Sequence, residues 1–207
     1  MNKFETSSLN NFTSLKKKNY ERLLEIALDS LENGIEPTIT ELADKSGISR
    51  STAYRYFPTQ NDLISAVVNR SLDPILQWHT DEQNISQRVN EFISFAYTEM
   101  IKHEGAIRAT MRLSLQQWAN ERSKSAPNTT KRVRENRKEV ISKLLQPLQS
   151  QLSEEQYNKV IYTISIICGS QITVLKDVWN LDDSYIISLS QWIANAIINQ
   201  AKNDANT

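Results

Sequence analysis

Apolar residues recur along this chain at spacings of three and four, and the pattern predicts a succession of nine amphipathic helices. Residues 1–12 are polar and predict a disordered arm. Lys16-Lys17-Lys18 opens a first helix that runs to about Glu32, with Leu24, Ala27, Leu28 and Leu31 on one face and Gly34 as its stop. Two short helices follow within Thr38–Phe57. Thr59 caps a fourth, in which Leu63, Ile64, Val67 and Val68 face inward and Asp73-Pro74 predicts a kink or break on the way to Trp78. The fifth carries Val89, Phe92, Ile93, Ala96, Tyr97 and Met100, and His103-Glu104-Gly105 separates it from a sixth with Ile107, Met111, Leu115 and Trp118. A loop around Pro127 leads to a basic segment with Lys131, Arg132, Arg134, Arg137 and Lys138, which opens a seventh helix; charge runs of this kind usually form solvated faces. The eighth, capped by Ser153 and Gln156, is predicted to be long, with Gly169 and Ser170 at its middle allowing close helix crossing. The ninth follows Asp182 and carries Ile186, Leu189, Ile193 and Ile197 on one face.

The stretch Thr38–Phe57, TITELADKSGISRSTAYRYF, carries the densest local signals. Thr38 and Glu41 have the spacing of a capping box. Leu42 and the small Ala43 face inward, Ser46-Gly47-Ile48 is a turn, and Ser49 caps a second helix through the amide of Thr52 or its neighbour. On that helix Ala53 and Phe57 point in, while the pairs Arg50/Tyr54 and Ser51/Arg55 point out. The outer face presents hydroxyls, phenols and guanidinium groups. These are partners for phosphate, and an arginine here reaches guanine edges in a major groove. An Arg/Tyr face alone also fits an ordinary solvated helix. The ordered set of cap, Ala, Gly turn, cap and Tyr-x-Tyr-Phe is far more specific.

Composition narrows the class. The 207 residues hold 39% hydrophobic and 23% charged side chains, as in a globular protein, and only 4 Gly and 5 Pro, which favours long helices. The net charge of +0 provides no global basic field, so any nucleic-acid binding rests on local patches. The lone Cys168 excludes an internal disulfide and a cysteine metal cluster. No membrane-spanning run and no signal-peptide core are evident, which predicts a cytoplasmic protein. The two histidines, His79 and His103, have no metal-ligand spacing, and no phosphate loop or nucleophile motif is found. The expectation is therefore no enzyme, no cofactor and no metal.

The residues Thr40-Glu41-Leu42-Ala43, Ser46-Gly47-Ile48-Ser49, Thr52-Ala53-Tyr54-Arg55-Tyr56-Phe57-Pro58 and Asp62-Leu63 closely resemble the DNA-binding domain of the tetracycline-repressor (TetR) family of bacterial transcription regulators. The match runs from about Leu15 to Val68; beyond it, only length and helical character agree. One departure is Gln60, where members often carry a phosphate-binding Lys. The resemblance implies an all-α protein: a disordered arm at 1–12, a three-helix helix-turn-helix domain at 13–60 and a helical effector-binding and dimerisation domain at 61–207. It implies a sequence-specific regulator, a repressor more readily than an activator, released from an inverted-repeat operator on double-stranded DNA by a small effector of unknown identity. A helical protein-interaction module is the alternative.

Roles follow residue by residue. Arg50, Ser51 and Thr52 are expected near base edges, Tyr54 and Tyr56 on phosphates, Arg55 at either, and Thr38 and Thr40 on the DNA backbone, with Ser49, at the cap, also among the DNA-binding residues. Aromatic and Met side chains cluster between Trp78 and Trp118. Trp78, Phe92, Phe95, Tyr97, Met100, Met111, Leu115 and Trp118 are candidates to line an effector cavity; the same spacing also fits plain core packing. The last two helices are apolar on more than one side, which suggests a subunit interface, and a homodimer is also what the resemblance implies. Ile164, Gly169, Ile172, Leu189, Ile193 and Ile197 are its candidates.

Overall fold

The computed structural model describes the backbone of residues 3–122, 131–169 and 171–206, and the side chains from 14 onward except 117, 121 and 131–137. Among these residues all regular structure is helical: α1 Lys3–Glu32, α2 Ile39–Ser46, α3 Arg50–Tyr56, α4 Gln60–Leu76, α5 Ile85–Lys102, α6 Glu104–Arg122, α7 Lys131–Leu145, a 3₁₀ turn Gln146–Leu148, α8 Glu154–Ile167, α9 Gln171–Asp177 and α10 Asp183–Ala205. The expected loop around Pro127 and the side chains of Lys131, Arg132, Arg134 and Arg137 lie outside the described residues. The backbone of α1 is helical from Lys3, where the polar pattern predicted a disordered arm; no Gly or Pro interrupts the segment. Pro74 lies inside α4, which passes it and ends at Leu76.

The chain forms two compact units. The first takes the residues up to Ser71 together with His103–Trp118; the second takes Leu72–Lys102 and the residues from Ala119 onward. This division differs from the sequence-based one at 60/61, because α6 belongs with α1. Gly105 is the point of approach. A Cβ there would lie 2.2 Å from the Leu31 carbonyl oxygen and 2.8 Å from the Glu32 Cα, so only glycine fits. The Glu32 carboxylate then accepts from the amides of Gly105 (2.8 Å) and Ala106 (3.2 Å), satisfying N–H groups that the first turn of α6 leaves without helical partners. The core of this unit gathers Leu23, Leu24, Ala27 and Leu31 with Ile39, Leu42, Ala43, Ala53, Phe57, Leu63, Ile64, Val67 and Val68. The buried face of α1 includes Leu23 and leaves Leu28 half-buried, a small rotation from the predicted stripe.

In the second unit α5 packs on α7 and α10, and α8 packs on α7 and α10. Arg88 stitches it together. Its guanidinium donates to the carbonyls of Leu144 (2.9 Å) and Lys143 (3.1 Å), at the end of α7, and to those of Thr80 and Glu82 (both 3.0 Å). A cation at a helix C-terminus, bonded to carbonyls that lack helical donors, is favoured both by the dipole and by hydrogen bonding.

The long eighth helix predicted from the sequence is two helices. In a continuous helix the Ile167 carbonyl would accept from the amide of Gln171. Instead it accepts from the hydroxyl of Tyr97 on α5, at 2.6 Å, and α8 ends there. The Tyr97 hydroxyl in turn accepts from Gln171 (2.8 Å) and Ser190 (2.9 Å). Tyr97 is fully buried, and burial raises its pKa above the usual phenol value. The phenol therefore joins α5, the α8–α9 break and α10 in one satisfied network.

Tyr97→Phe removes the group that satisfies the Ile167 carbonyl and leaves Gln171 and Ser190 short of an acceptor. Denaturant unfolding is expected to show a loss of about 1–3 kcal/mol. An unchanged midpoint would show that the Tyr97 network does not contribute to stability.

Candidate nucleic-acid interface

Each local signal in Thr38–Phe57 forms as its chemistry requires. Thr38 accepts from the amide of Glu41 (3.2 Å), and Glu41 accepts in return from the Thr38 amide (2.8 Å) and hydroxyl (2.9 Å), a complete capping box. The hydrogen bonds from Thr38 hold the Glu41 carboxyl below its ordinary pKa. Gly47 closes α2 at φ 70°, a left-handed conformation that L side chains adopt only at a cost, and its amide reaches the Ala43 carbonyl. Ser49 caps α3 by accepting from the Thr52 amide, and it donates to the Thr52 hydroxyl at 2.8 Å.

Two cross-helix pairs set the outer surface. Arg50 opens α3 and lies against Asp44 of α2: Nη2 donates to Oδ2 at 2.9 Å and Nε to Oδ1 at 3.3 Å. One turn back along α2 and one turn on along α3, the hydroxyls of Thr40 and Tyr54 stand 3.4 Å apart. Thr40 and Asp44 form a row on α2, and Arg50 and Tyr54 form the facing row on α3. Both members of the charged pair stay open to solvent, with side chains 63% and 58% exposed. Asp44 holds the Arg50 guanidinium charged even more firmly than usual, through its hydrogen bonds first and its charge second.

The expected reading residues are thus brought together. Arg50, Ser51, Tyr54 and Arg55 are exposed, Thr52 and Thr40 are half-buried, and Thr38 and Ser49 are exposed at the two caps. The seven residues of α3 include Arg50 and Arg55 and no carboxylate. Tyr56 is placed differently from the expectation. Its ring meets Tyr20 edge-on at 5.7 Å, and its hydroxyl donates to the Lys16 carbonyl at 3.0 Å, so it ties α3 back to α1. Gln60, the departure noted at a phosphate-binding position, donates to the Pro37 carbonyl at 2.7 Å and anchors the start of α4. Asp44 was not singled out by sequence reasoning. Its signal was the parallel spacing of Thr40/Asp44 and Arg50/Tyr54 on either side of a tight turn.

The other candidates are scattered by comparison. Of the effector-cavity residues, Phe92, Tyr97 and Met100 are buried in the second unit, where Trp78 meets Phe92 edge-on at 5.1 Å and Phe95 is half-buried. Met111 is half-buried in the first unit, and Leu115 and Trp118 on α6 are exposed. Arg112, a polar residue on α6, pairs with Glu36. Of the interface candidates, Ile164, Gly169 and Ile172 are buried within their own chain, while Leu189, Ile193 and Ile197 are half-buried. On α8 and α10 the large apolar side chains exposed instead are Tyr162, Ile166, Tyr185 and Trp192, and Val174, Val178 and Trp179 are exposed between these helices. No group of three or more His, Cys, Asp or Glu side chains able to hold a metal occurs among the described residues. No single helix among them is long and apolar enough to cross a membrane.

Comparison with known proteins agrees with this geometry. Residues 21–59 match the family model of the IclR helix-turn-helix domain, which identifies an N-terminal helix-turn-helix domain. A search of curated proteins by sequence finds no match. Among solved structures, a TetR-family transcriptional regulator from Streptomyces coelicolor superposes with a TM-score of 0.70 at 18% identity, over 89% of this chain and 82% of that one. The chain therefore has the fold of that regulator, all-helical with the helix-turn-helix at its N-terminus.

The capping box makes a pH prediction. A carboxyl whose folded pKa is lowered adds stability above its unfolded pKa and loses it as the pH falls through the folded value. The melting temperature is expected to drop on acidification below the ordinary carboxylate range, and to drop less steeply in Thr38→Ala, where the hydroxyl bond to Glu41 is gone. Parallel curves for the two proteins would exclude the box as a source of the pH dependence.

Proposed function

We propose that the chain is a TetR-family regulator: a sequence-specific DNA-binding homodimer that represses transcription and leaves an inverted-repeat operator when a small effector binds. The observation that carries this reading is the α2–turn–α3 unit. Its outward row of Arg50, Ser51, Tyr54 and Arg55 is exposed, and α3 itself carries cations and no acid. With a charge balance of +0, attraction for phosphate is local; on this face Asp44 offsets the charge of Arg50 and Arg55 adds a second cation. In this reading Arg50, Ser51 and Thr52 meet base edges, Tyr54 and Arg55 meet base edges or phosphates, and Thr38, Thr40 and Ser49 line the DNA backbone. Tyr56 positions α3 rather than touching DNA.

Dimerisation is supported by what α8 and α10 leave uncovered. Tyr162 and Ile166 lie four apart on α8, and Tyr185 and Trp192 lie seven apart on α10. Each pair makes an apolar stripe turned away from the chain's own core, with exposures of 65% and 67% on α8 and 54% and 68% on α10. Four helices from two chains would bury these stripes, and two-fold symmetry would set two copies of α3 about 34–36 Å apart, one turn of the duplex. α4 has residues in both compact units, up to Ser71 in one and from Leu72 in the other. It is the element through which an effector, held among apolar residues such as Trp78, Phe92 and Phe95, alters that spacing. Such an effector acts only through its difference in affinity between the two states.

Selection of random duplex DNA on the purified protein, repeated at two salt concentrations, tests the reading. An inverted repeat is expected, bound more weakly at high salt. A folded dimer that enriches no sequence, but captures a protein partner regardless of salt, would replace it with the interaction-module reading. Arg50→Ala is expected to weaken operator binding by about 1–3 kcal/mol and to relax one position per half-site. Trp192→Glu is expected to give a folded monomer by sedimentation, with loss of inverted-repeat binding. A dimer that persists would move the interface elsewhere.

A further inference from the structure

We infer that Asp44, on the first helix of the pair, determines sequence specificity by presenting one edge of Arg50 to guanine. The inference rests on the DNA-reading role proposed above. A guanidinium has five N–H donors in a fixed plane. Asp44 engages the side edge, through Nε–H and one hydrogen of Nη2, at 3.3 and 2.9 Å. Three N–H bonds remain. Two of them, one on Nη1 and one on Nη2, run parallel along the end of the group. That pair matches the O6 and N7 acceptors on the major-groove edge of guanine.

The carboxylate does two things at once. It restricts a long, flexible side chain to one orientation before DNA arrives, so less freedom is lost on docking. It also places a negative charge beside the duplex, which disfavours looser arrangements in which Arg50 wanders to a phosphate or to a base without paired acceptors. The neighbouring rung, Thr40 against Tyr54 at 3.4 Å, shows the same device one turn along. α2 thus steadies the outward row of α3 from the side, and both partners of the charged pair remain exposed where DNA would lie. Asp44 is a positioning residue; it contacts the base only through Arg50.

This role has a signature that simple stabilisation lacks. Removing the charge in Asp44→Asn should raise affinity for unrelated duplex while lowering discrimination at one base pair per half-site. In random-duplex selection the wild type should enrich guanine at that position, and Asp44→Asn should reduce the enrichment by roughly tenfold. With Lys at position 50 (Arg50→Lys) the fork is absent, so adding Asp44→Asn should change the preference no further. Melting curves establish that each variant is folded, and Asp44→Ser provides the same charge removal if Asp44→Asn melts early. Unchanged guanine preference in a folded Asp44 variant would overturn the inference while leaving the regulator reading in place. So would an equal loss of preference caused by Asp44→Asn in the Arg50→Lys background. If the wild type enriches no sequence at all, the regulator reading fails and this inference fails with it.

Discussion

The α2–α3 pair depends on α1. Helices of eight and seven residues, the lengths of α2 and α3, are too short to persist in water by their own hydrogen bonds. They exist because Ile39, Leu42, Ala43, Ala53 and Phe57 are buried together with Leu23, Leu24 and Ala27 of the long first helix. Tyr20 adds a stacked contact to Phe57 at 5.3 Å and an edge contact to Tyr56. The inward faces are thereby fixed. Because α2 and α3 are joined by a turn whose φ at Gly47 only glycine adopts at little cost, the outward faces are fixed as well. A rigid outward row is what base reading demands, since a misplacement of a fraction of an ångström breaks a paired hydrogen bond.

The same helix extends that influence to α6. Glu32, at the end of α1, caps α6 through Gly105 and Ala106, and the backbones approach so closely that no side chain fits. Contacts of this kind transmit displacement with little slack, because a backbone cannot yield as a side-chain tip does. The second unit uses a different principle. Its helices are joined by buried or half-buried polar groups that each serve several elements, Arg88 with four carbonyls and Tyr97 with one acceptor and two donors. Such networks specify one arrangement sharply, since losing any member leaves the others unsatisfied.

What was legible in the sequence was local. The capping boxes at Thr38/Glu41 and Ser153/Gln156, the Gly47 turn and the Ser49 cap all involve residues within about four positions, and their rules are short-range. The pairing of Asp44 with Arg50 crosses a turn, and periodicity within a helix does not register it. At the break after Ile167 the freed carbonyl is taken by Tyr97, 70 residues earlier, a partner that no short-range pattern announces, so an apolar run reads as one helix. The interface candidates illustrate the same limit. Ile164 and Ile166 look alike in sequence, yet one is buried in its own chain and the other is 67% exposed. Only the packing of α8 on α7 and α10 tells them apart.

Tyr54 and Tyr56 differ in placement rather than in chemistry. Both are phenols on a seven-residue helix, and both suit a phosphate by chemistry alone. A separation of two residues turns them through roughly 200° on a helix of 3.6 residues per turn, so they project from different faces of α3. Tyr54 falls on the row that Thr40 supports, while Tyr56 falls against Tyr20 and donates to Lys16. The Tyr-x-Tyr-Phe sequence therefore divides its labour by geometry: one phenol is left at the surface, and one holds the helix on which the first is carried.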